Sequence, residues 1–446
     1  MTQLSGHNSA LAAYQPPFDS LAAPIEHESV RETTMPSLVA VAVAIYMVSV
    51  ITLSTASEAT SWIPQVVGAV VGVMWLVVGV VVKGQPIIWS SPVTSFILFT
   101  LWGMTGILVT IDVDFFWGIE LTGLKVMAMA WIALQCVRTR KDFLFCCLLI
   151  GASSILIMLL GKDTIMHALE YTGGREKATA RASGTLLSNS NDLGQFGVLV
   201  CITSGTCLLG YKSVIMKLVS LAPMVVALYL VAASGSRTAM VGLAAAVVGV
   251  YWYHFREAGK GSLIRKVFMI LLAVGVMGGS VYFLIRSPFF FRLAAVFSSS
   301  DAMQDEPRYQ YFMRALKAMS ENPLFGLGMG GFAANRLGVD EFGMGHYSHS
   351  SVSETLSCTG LPGFFLFFGG RYVFYKLLKR VRNLPLPPQD FATVNLIMAY
   401  FWALVTFDIV SVTLQHRLMW PLIGACGGYL WYLNRQYGRD SVSATA

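Results

Sequence analysis

The sequence has little charge for its length. Only 12% of its 446 residues are charged, whereas 55% are apolar, and a soluble domain carries about a quarter charged residues. Uncharged apolar stretches of about 20 residues, the length that spans a membrane as a helix, recur from Leu38 to the C-terminal end. This composition excludes an ordinary soluble domain and predicts an all-α polytopic membrane protein.

Cysteine is also scarce. The seven cysteines have no metal-ligand spacing, and their odd number argues against a complete set of disulfides. Most of them lie in apolar runs, where cysteine behaves as a small hydrophobic residue. The formal charge of +7 reflects the basic residues that flank membrane helices. We therefore expect no cofactor, no metal and no nucleic-acid partner.

Hydropathy predicts twelve membrane spans with both chain ends in the cytoplasm. If the N-terminus lies inside, seventeen Lys and Arg residues fall on the inner face and twelve on the outer face, in agreement with the positive-inside rule. The predicted spans are 38–56, 62–82, 93–111, 117–137, 143–160, 185–209, 214–233, 238–254, 267–286, 350–375, 391–412 and 418–434.

The chain ends are expected to lie outside this membrane domain. Residues 1–36 are polar and proline-containing, which predicts a disordered cytoplasmic tail without a cleaved signal peptide. Residues 37–434 are predicted to form a single transmembrane domain, and residues 435–446 a cytoplasmic C-terminal tail. The connection 287–349 on the outer face is much longer than the others, which indicates a functional loop.

This outer loop is expected to contain short helices. The spacing of Phe312, Ala315, Leu316 and Met319 predicts a helix over 308–320 with these residues on its apolar face. Arg308 falls beside that face, where an unpaired charge is costly. We therefore expect Arg308 to face the protein or the membrane and to have an anionic partner.

Four polar segments meet the predicted outer face. They are the stretch from Arg181 to Asp192, the turn Ser234-Gly-Ser236-Arg237-Thr238, Arg308 with the glycine-rich segment 322–331 (which contains Gly326 and Gly328), and the segment from His346 to Ser351 with His349. Arginine grips phosphate oxygens with a planar fork, backbone N–H groups add anion contacts, and histidine takes a hydroxyl proton near neutral pH. This set favours an anionic, membrane-delivered substrate and glycosyl transfer from a pyrophosphate.

These residues resemble the signature of the O-antigen ligase and O-antigen polymerase superfamily of bacterial inner-membrane glycan transferases. Gly235-Ser-Arg-Thr-Ala239 resembles its Ser-Arg-Thr turn, and Arg308 ahead of Asn322-Pro-Leu-Phe-Gly-Leu-Gly resembles its outer-loop signature. His349-Ser350, followed after nine residues by Gly360-Leu-Pro-Gly363, matches its His-[Asn/Ser/Gln]-x9-Gly-x-x-Gly pattern.

The resemblance implies a GT-C-like, metal-independent transferase with a periplasmic active site. It implies a glycan donor linked to undecaprenyl pyrophosphate, with Arg237 and Arg308 on the pyrophosphate and His349 orienting or deprotonating the acceptor hydroxyl. Arg181 is a weaker third cation. Further substrate-binding candidates are Ser236, Gly326, Gly328 and His346, the last of which is an alternative working histidine.

The motifs leave the identity of the acceptor molecule open. A ligase transfers the glycan to lipid A–core, and a polymerase transfers it to another lipid-linked repeat; the compact His349 pattern favours the ligase. The protein-glycosylating branch continues its pattern with Thr and Glu, whereas Phe364-Phe-Leu-Phe-Phe368 follows Gly363 here, which argues against a protein acceptor. A secondary transporter would be expected to have two similar halves, and the sequence has no internal repeat.

The Asp112-Val-Asp114 segment, Lys125 and Asp408 each have more than one interpretation. Asp112-Val-Asp114 resembles the metal-binding Asp-x-Asp of some glycosyltransferases, but carboxylates that end a span are the favoured interpretation. Lys125 and Asp408 are charged groups within predicted spans, which are functional candidates by default, and they are possible partners of each other.

Overall fold

The computed structural model describes residues 36–53, 62–162, 190–255, 307–338 and 347–443. Every regular element in these ranges is helical, and seven of the helices are long and apolar enough to cross a membrane. The prediction of an all-α polytopic membrane protein is therefore confirmed. The count of twelve spans and the GT-C-like architecture stay predictions, because the predicted span 267–286 and parts of the loop 287–349 lie outside the described residues.

The described helices follow the predicted spans closely. They are α1 (Leu38–Leu53), α2 (Ile63–Met74, continued by a π-helix over Trp75–Val82), α3 (Ser91–Met104, ending in a 3-10 turn over Thr105–Leu108), α4 (Val113–Cys136), α5 (Arg140–Leu160), α6 (Ser190–Gly210), α7 (Val214–Ser234), α8 (Arg237–Val250, with a π-turn over Tyr251–Phe255), α9 (Pro307–Glu321), α10 (Gly331–Ala334), α11 (Ser351–Arg382), α12 (Pro388–Val410) and α13 (Met419–Ser443).

Two helices differ from the predicted spans in a way that matters for the site. Helix α11 continues to Arg382 and is interrupted at Gly360, whose backbone is not helical. Helix α13 continues to Ser443, past the predicted end of the last span. Hydropathy does not detect either feature, because neither the break nor the polar end of a helix changes the apolar length of a span.

Helices α6 and α12 lie at the centre of the bundle. Their most apolar segments are 78% and 72% buried, against 22% for α2. Small residues allow this central packing: a Cβ on Gly197 would lie 2.7 Å from a methyl group of Val231, and a Cβ on Gly242 would clash with the ring of Phe407. Helices α7 and α8 therefore pack closely against α6 and α12.

A buried ion pair joins α11 to α12. Arg371 Nε donates to Asp408 Oδ2 at 2.8 Å, and the two side chains are 5% and 1% exposed. The guanidinium of Arg371 also lies over the ring of Trp420, 4.4 Å from its centroid. The suggested pairing of Lys125 with Asp408 is therefore wrong: Asp408 pairs with Arg371, and Lys125 donates to Gln65.

Candidate functional site

Contacts between helix ends identify one end of the bundle as the candidate site. The backbone N–H of Ser351, at the start of α11, donates to the carbonyl of Ser411, just after the end of α12. The hydroxyl of Ser236, just before α8, donates to Asn191 in the first turn of α6 at 2.9 Å. We call this end of the bundle the site end. It carries every described residue of the predicted site.

The turn before α8 presents Arg237. Ser236 is buried and caps the helix by accepting a hydrogen bond from the N–H of Ala239, while its own N–H donates to the hydroxyl of Ser234. The turn lies tightly against α6, since a Cβ on Gly194 would come within 2.9 Å of the Cβ of Ser236. Ser236 therefore positions the turn, and Arg237 is half-buried beside it.

The glycine-rich segment 322–331 closes against the break in α11. The N–H of Leu361 donates to the carbonyl of Pro323, and the N–H of Leu327 donates to the carbonyl of Ser357. A Cβ on Gly326 would lie 2.5 Å from that same carbonyl oxygen of Ser357. The segment thus supplies hydrogen-bond partners at the helix break, as a break within a membrane requires.

Both glycines of the predicted site are part of this contact. Gly326 and Gly328 have φ angles of +63° and +81° and are buried. A Cβ on Gly328 would lie 2.8 Å from the carbonyl oxygen of Gly106 at the end of α3. The two residues therefore let backbone segments approach each other, and direct contact of either glycine with substrate stays a prediction.

His349 lies in a short segment that a buried carboxylate holds in place. The N–H and the hydroxyl of Ser348 both donate to Glu354 Oε2, at 2.9 and 2.8 Å. Ser350 caps α11 by accepting from the N–H of Val352. Between them His349 has a φ of +59° and is exposed. A non-glycine residue in this conformation persists only where its surroundings enforce it, and Glu354 and the cap hold the backbone on both sides of His349.

Arg308 belongs to a helix that touches this histidine. Helix α9 runs from Pro307 to Glu321, which confirms the predicted helix, and the ring of Tyr311 lies 6.1 Å from the ring of His349. Arg308 is three residues before Tyr311, and residues three apart are neighbours on a helix. The contact between Tyr311 and His349 thus brings the helix that carries Arg308 next to the candidate histidine.

The face of α9 that packs against the rest of the protein is not the apolar face predicted from the sequence. The residues that pack are Tyr311, Ala315 and Ala318, whereas Phe312 is 38% exposed. Arg308 is exposed, and the expectation that it faces the protein or the membrane and has an anionic partner stays a prediction. The periodic pattern could not separate the two faces because apolar residues occur on both.

A cavity of about 220 Å³ adjoins the His349 segment. Its polar lining comes from Tyr347, Glu354, Gln415 and His416, and Met329 is among its apolar lining residues. Sequence reasoning missed Glu354, Gln415 and His416. A signal for His416 was available, since it lies next to Arg417 in a short predicted outer connection, but a single histidine without a motif is not distinctive.

The imidazole of His416 is held in its neutral form. Desolvation lowers its pKa, and Arg417 lowers it further, while Asp192 acts in the opposite direction. The backbone N–H groups of Leu418 and Met419 point at its Nδ1, which must therefore carry a lone pair. With Nδ1 accepting these bonds, the neutral imidazole carries its proton on Nε2 and offers a hydrogen-bond donor to a ligand in the cavity.

Asp112 has a structural role at the start of α4. Its carboxylate accepts from the N–H of Phe115 at 2.9 Å and caps the helix, and Asp114 lies in the first turn. Acids are favourable at helix N-termini, which supports the interpretation as carboxylates at the end of a span. Arg181 and His346 lie outside the described residues, so their predicted roles stay predictions.

Comparison with known proteins identifies the domain. Residues 222–368 match the family model described as O-antigen ligase. This match covers about a third of the chain and supports the predicted resemblance to the O-antigen ligase and polymerase superfamily. Within this O-antigen ligase region lie Arg237, Arg308, His349 and the glycine-rich segment 322–331. No curated protein matches the chain significantly.

Proposed function

We propose that the protein transfers a glycan from an undecaprenyl-pyrophosphate carrier to an acceptor hydroxyl at the periplasmic face of the bacterial inner membrane. The acceptor proposed first is lipid A–core, which would make the protein an O-antigen ligase. The observation that carries the proposal is the placement of two arginines at helix N-termini within the matched O-antigen ligase region.

Helix N-termini carry partial positive charge and ordinarily favour acids. The first turns of α8 and α9 instead contain Arg237 and Arg308 and no acid. An arginine there adds to the positive potential of the helix end, where backbone N–H groups also favour a bound anion. A pyrophosphate is a suitable anion, because arginine contacts phosphate oxygens in a bidentate way.

We propose a role in the transfer for each of these groups. Arg237 and Arg308 hold the pyrophosphate and stabilise the negative charge that develops on it as the glycosidic bond to the carrier breaks. His349 orients the acceptor hydroxyl or accepts its proton as the new bond forms. The cavity lined by Tyr347, Gln415 and His416 offers polar groups with an apolar wall beside His349, and we assign it to an acceptor sugar.

Transfer by the purified protein from an undecaprenyl-pyrophosphate glycan tests this function. Lipid A–core and a second lipid-linked repeat are offered in parallel, and we expect product on lipid A–core. Arg237→Ala, Arg308→Ala and His349→Ala should each abolish it, whereas Lys212→Ala, which removes an exposed cation from the α6–α7 connection, should not. A growing ladder on the carrier would instead make the protein a polymerase. Absence of product with both acceptors, or near-normal transfer by both arginine variants, would overturn the mechanism and favour a transporter.

Transfer is also expected to survive chelation, because arginines and helix N-termini supply the positive charge in this mechanism. EDTA should leave the initial rate within about two-fold, since no step needs a divalent ion. Reversible loss with EDTA and recovery with Mg²⁺ or Mn²⁺ would instead bring Asp112 and Asp114 back as metal ligands.

A further inference from the structure

A second and larger cavity lies between α1, α2 and α4. It has a volume of about 450 Å³, and its lining is mainly apolar and small, including Val50, Gly68, Gly72 and Ile132. Two charged side chains, Lys125 and Arg417, also line it. Both are cations, so the cavity combines an apolar interior with positive charge.

The two cations lie at one end of this cavity. Lys125 Nζ donates to Gln65 Oε1 at 3.1 Å, and Gln65 is in the first turn of α2. Arg417 lies in the connection just before α13, at the site end. Gly72 and Ile132 are each seven residues further along α2 and α4, a distance of roughly 10 Å along a helix. The cavity is thus cationic at the site end and apolar below it.

The surroundings of the cavity make it accessible from the lipid. Helix α2 has the least buried span among the described helices, and its Val66, Val70 and Val73 are about half exposed. Lys125 is exposed as well. A lysine beside lipid is costly without compensation, and Gln65 is neutral. An anionic group arriving from the membrane would provide that compensation.

The cationic end adjoins the candidate active site. Arg417 follows His416, which lines the cavity beside His349 and is within electrostatic reach of Asp192 in the first turn of α6. Asn191, next to Asp192, accepts from Ser236 in the Arg237 turn. A lipid headgroup at Arg417 would therefore lie at the edge of the transfer site.

We propose that this cavity binds the free polyprenyl carrier lipid, with its phosphate groups on Lys125 and Arg417 and the first isoprenoid units between α2 and α4. This position is separate from the one at Arg237 and Arg308 that the pyrophosphate takes during transfer. The occupant rests on the proposed function, which requires such a carrier. Charge complementarity selects an anionic lipid. The cavity is narrow beside Gly68, where an added Cβ would lie 3.2 Å from both Met129 and Tyr46, so one isoprenoid chain suits it better than the two chains of a phospholipid.

Binding of undecaprenyl pyrophosphate, measured by native mass spectrometry on the detergent-purified full chain, tests the proposal apart from catalysis. The measurement uses the Arg237→Ala/Arg308→Ala protein, so that the remaining affinity reports this cavity. Adding Lys125→Gln and Arg417→Gln should weaken binding at least about ten-fold, as expected for loss of two charge-assisted contacts. Lys212→Gln with Lys217→Gln is the matched loss of two charges, one in the α6–α7 connection and one in the first turn of α7.

A second variant fills the cavity without changing its charge. Ala69 lines the cavity and is exposed, so Ala69→Leu should also weaken binding, whereas Val70→Leu, on the same helix but outside the lining, should not. In the otherwise wild-type enzyme Ala69→Leu should raise the donor KM more than it lowers kcat. Equal affinity in all variants, or displacement of the carrier by phosphatidylglycerol or by inorganic pyrophosphate, would overturn the proposal.

The two proposals fail separately. Absence of transfer by the wild-type protein, with carrier binding that still depends on Lys125 and Ala69, would reject the transferase and support the lipid site. Normal transfer, together with carrier binding that is unchanged in the Lys125 and Ala69 variants, would reject the lipid site and leave the proposed transferase function standing.

Discussion

Single side chains at the site end divide into those proposed to touch substrate and those that hold them. Arg237, Arg308 and His349 are the proposed contacts, and each belongs to the start of a helix or the segment just before it. Ser236 holds the Arg237 turn by donating to Asn191 and accepting from the N–H of Ala239, and Glu354 holds the His349 segment by accepting from the N–H and hydroxyl of Ser348. Substitution of a holding residue should change catalysis without removing any group from the reaction.

Glu354 is the clearest residue of this second kind. Glu354→Ala removes the acceptor for both donors of Ser348 and should free His349 from its φ of +59°. Loss of such buried hydrogen bonds costs about 1–3 kcal/mol, so we expect kcat for transfer to fall by roughly ten-fold or more.

Glu354→Gln keeps an oxygen acceptor and should recover most of the rate, which a general loss of folding would not allow. Glu321→Ala removes an exposed carboxylate on α9 and serves as the control. Equal rates for Glu354→Ala and the wild type would show that Glu354 does not position His349.

His416 should make stability depend on pH. Desolvation places its folded pKa below the ordinary value of 6.5, so the unfolded chain takes up a proton first as the pH falls. Stability is then complete above about pH 6.5 and decreases as the pH falls towards the folded pKa. Thermal unfolding in detergent between pH 7.5 and 5 should show a steeper decrease for the wild type than for His416→Gln. Parallel curves would contradict a lowered pKa.

Among the helices, α11 has the feature on which the site depends most. Its break at Gly360 turns the chain so that the carbonyl of Pro323 can accept from Leu361. Gly360 has φ +65° and ψ −167°, a conformation essentially restricted to glycine. The break therefore couples the helix that begins beside His349 to the segment that follows Arg308.

Gly360→Ala should damage this coupling severely. The new Cβ would lie 2.5 Å from the carbonyl oxygens of Pro323 and Leu324, in addition to a backbone penalty of about 1–3 kcal/mol. We expect a lower unfolding temperature and loss of transfer. Gly369→Ala in the same helix has open space around its new Cβ and should be neutral or slightly stabilising. Similar behaviour of the two variants would contradict the assigned backbone contact.

At the scale of the whole molecule, the ion pair between Arg371 on α11 and Asp408 on α12 connects several parts of the helix bundle. Asp408 accepts from Arg371 and also from the hydroxyl of Thr413 in the connection that carries His416. The guanidinium lies between Phe367 and Trp420. One pair thus joins two central helices, the start of α13 and the edge of the site.

Breaking the pair from one side should be worse than removing it. Asp408→Asn or Arg371→Met leaves a buried charge without its partner, which costs about 3–5 kcal/mol. The double variant Arg371→Met/Asp408→Leu should regain a large part of that stability, because both charges are gone. Unfolding in detergent measures the three free energies, and a double variant at the sum of the two single losses would show that the pair is not coupled.

The sequence by itself determined the membrane class, the bounds of most described helices and the set of arginines and histidines proposed for the site. These properties are local: a span follows from about 20 apolar residues, and motifs follow from short spacings. Tertiary structure alone paired Arg371 with Asp408, brought Glu354 and His416 to one cavity, and packed the segment 322–331 against the break at Gly360. Those partners are mostly tens of residues apart along the chain, and only the packing of helices determines which distant side chains meet.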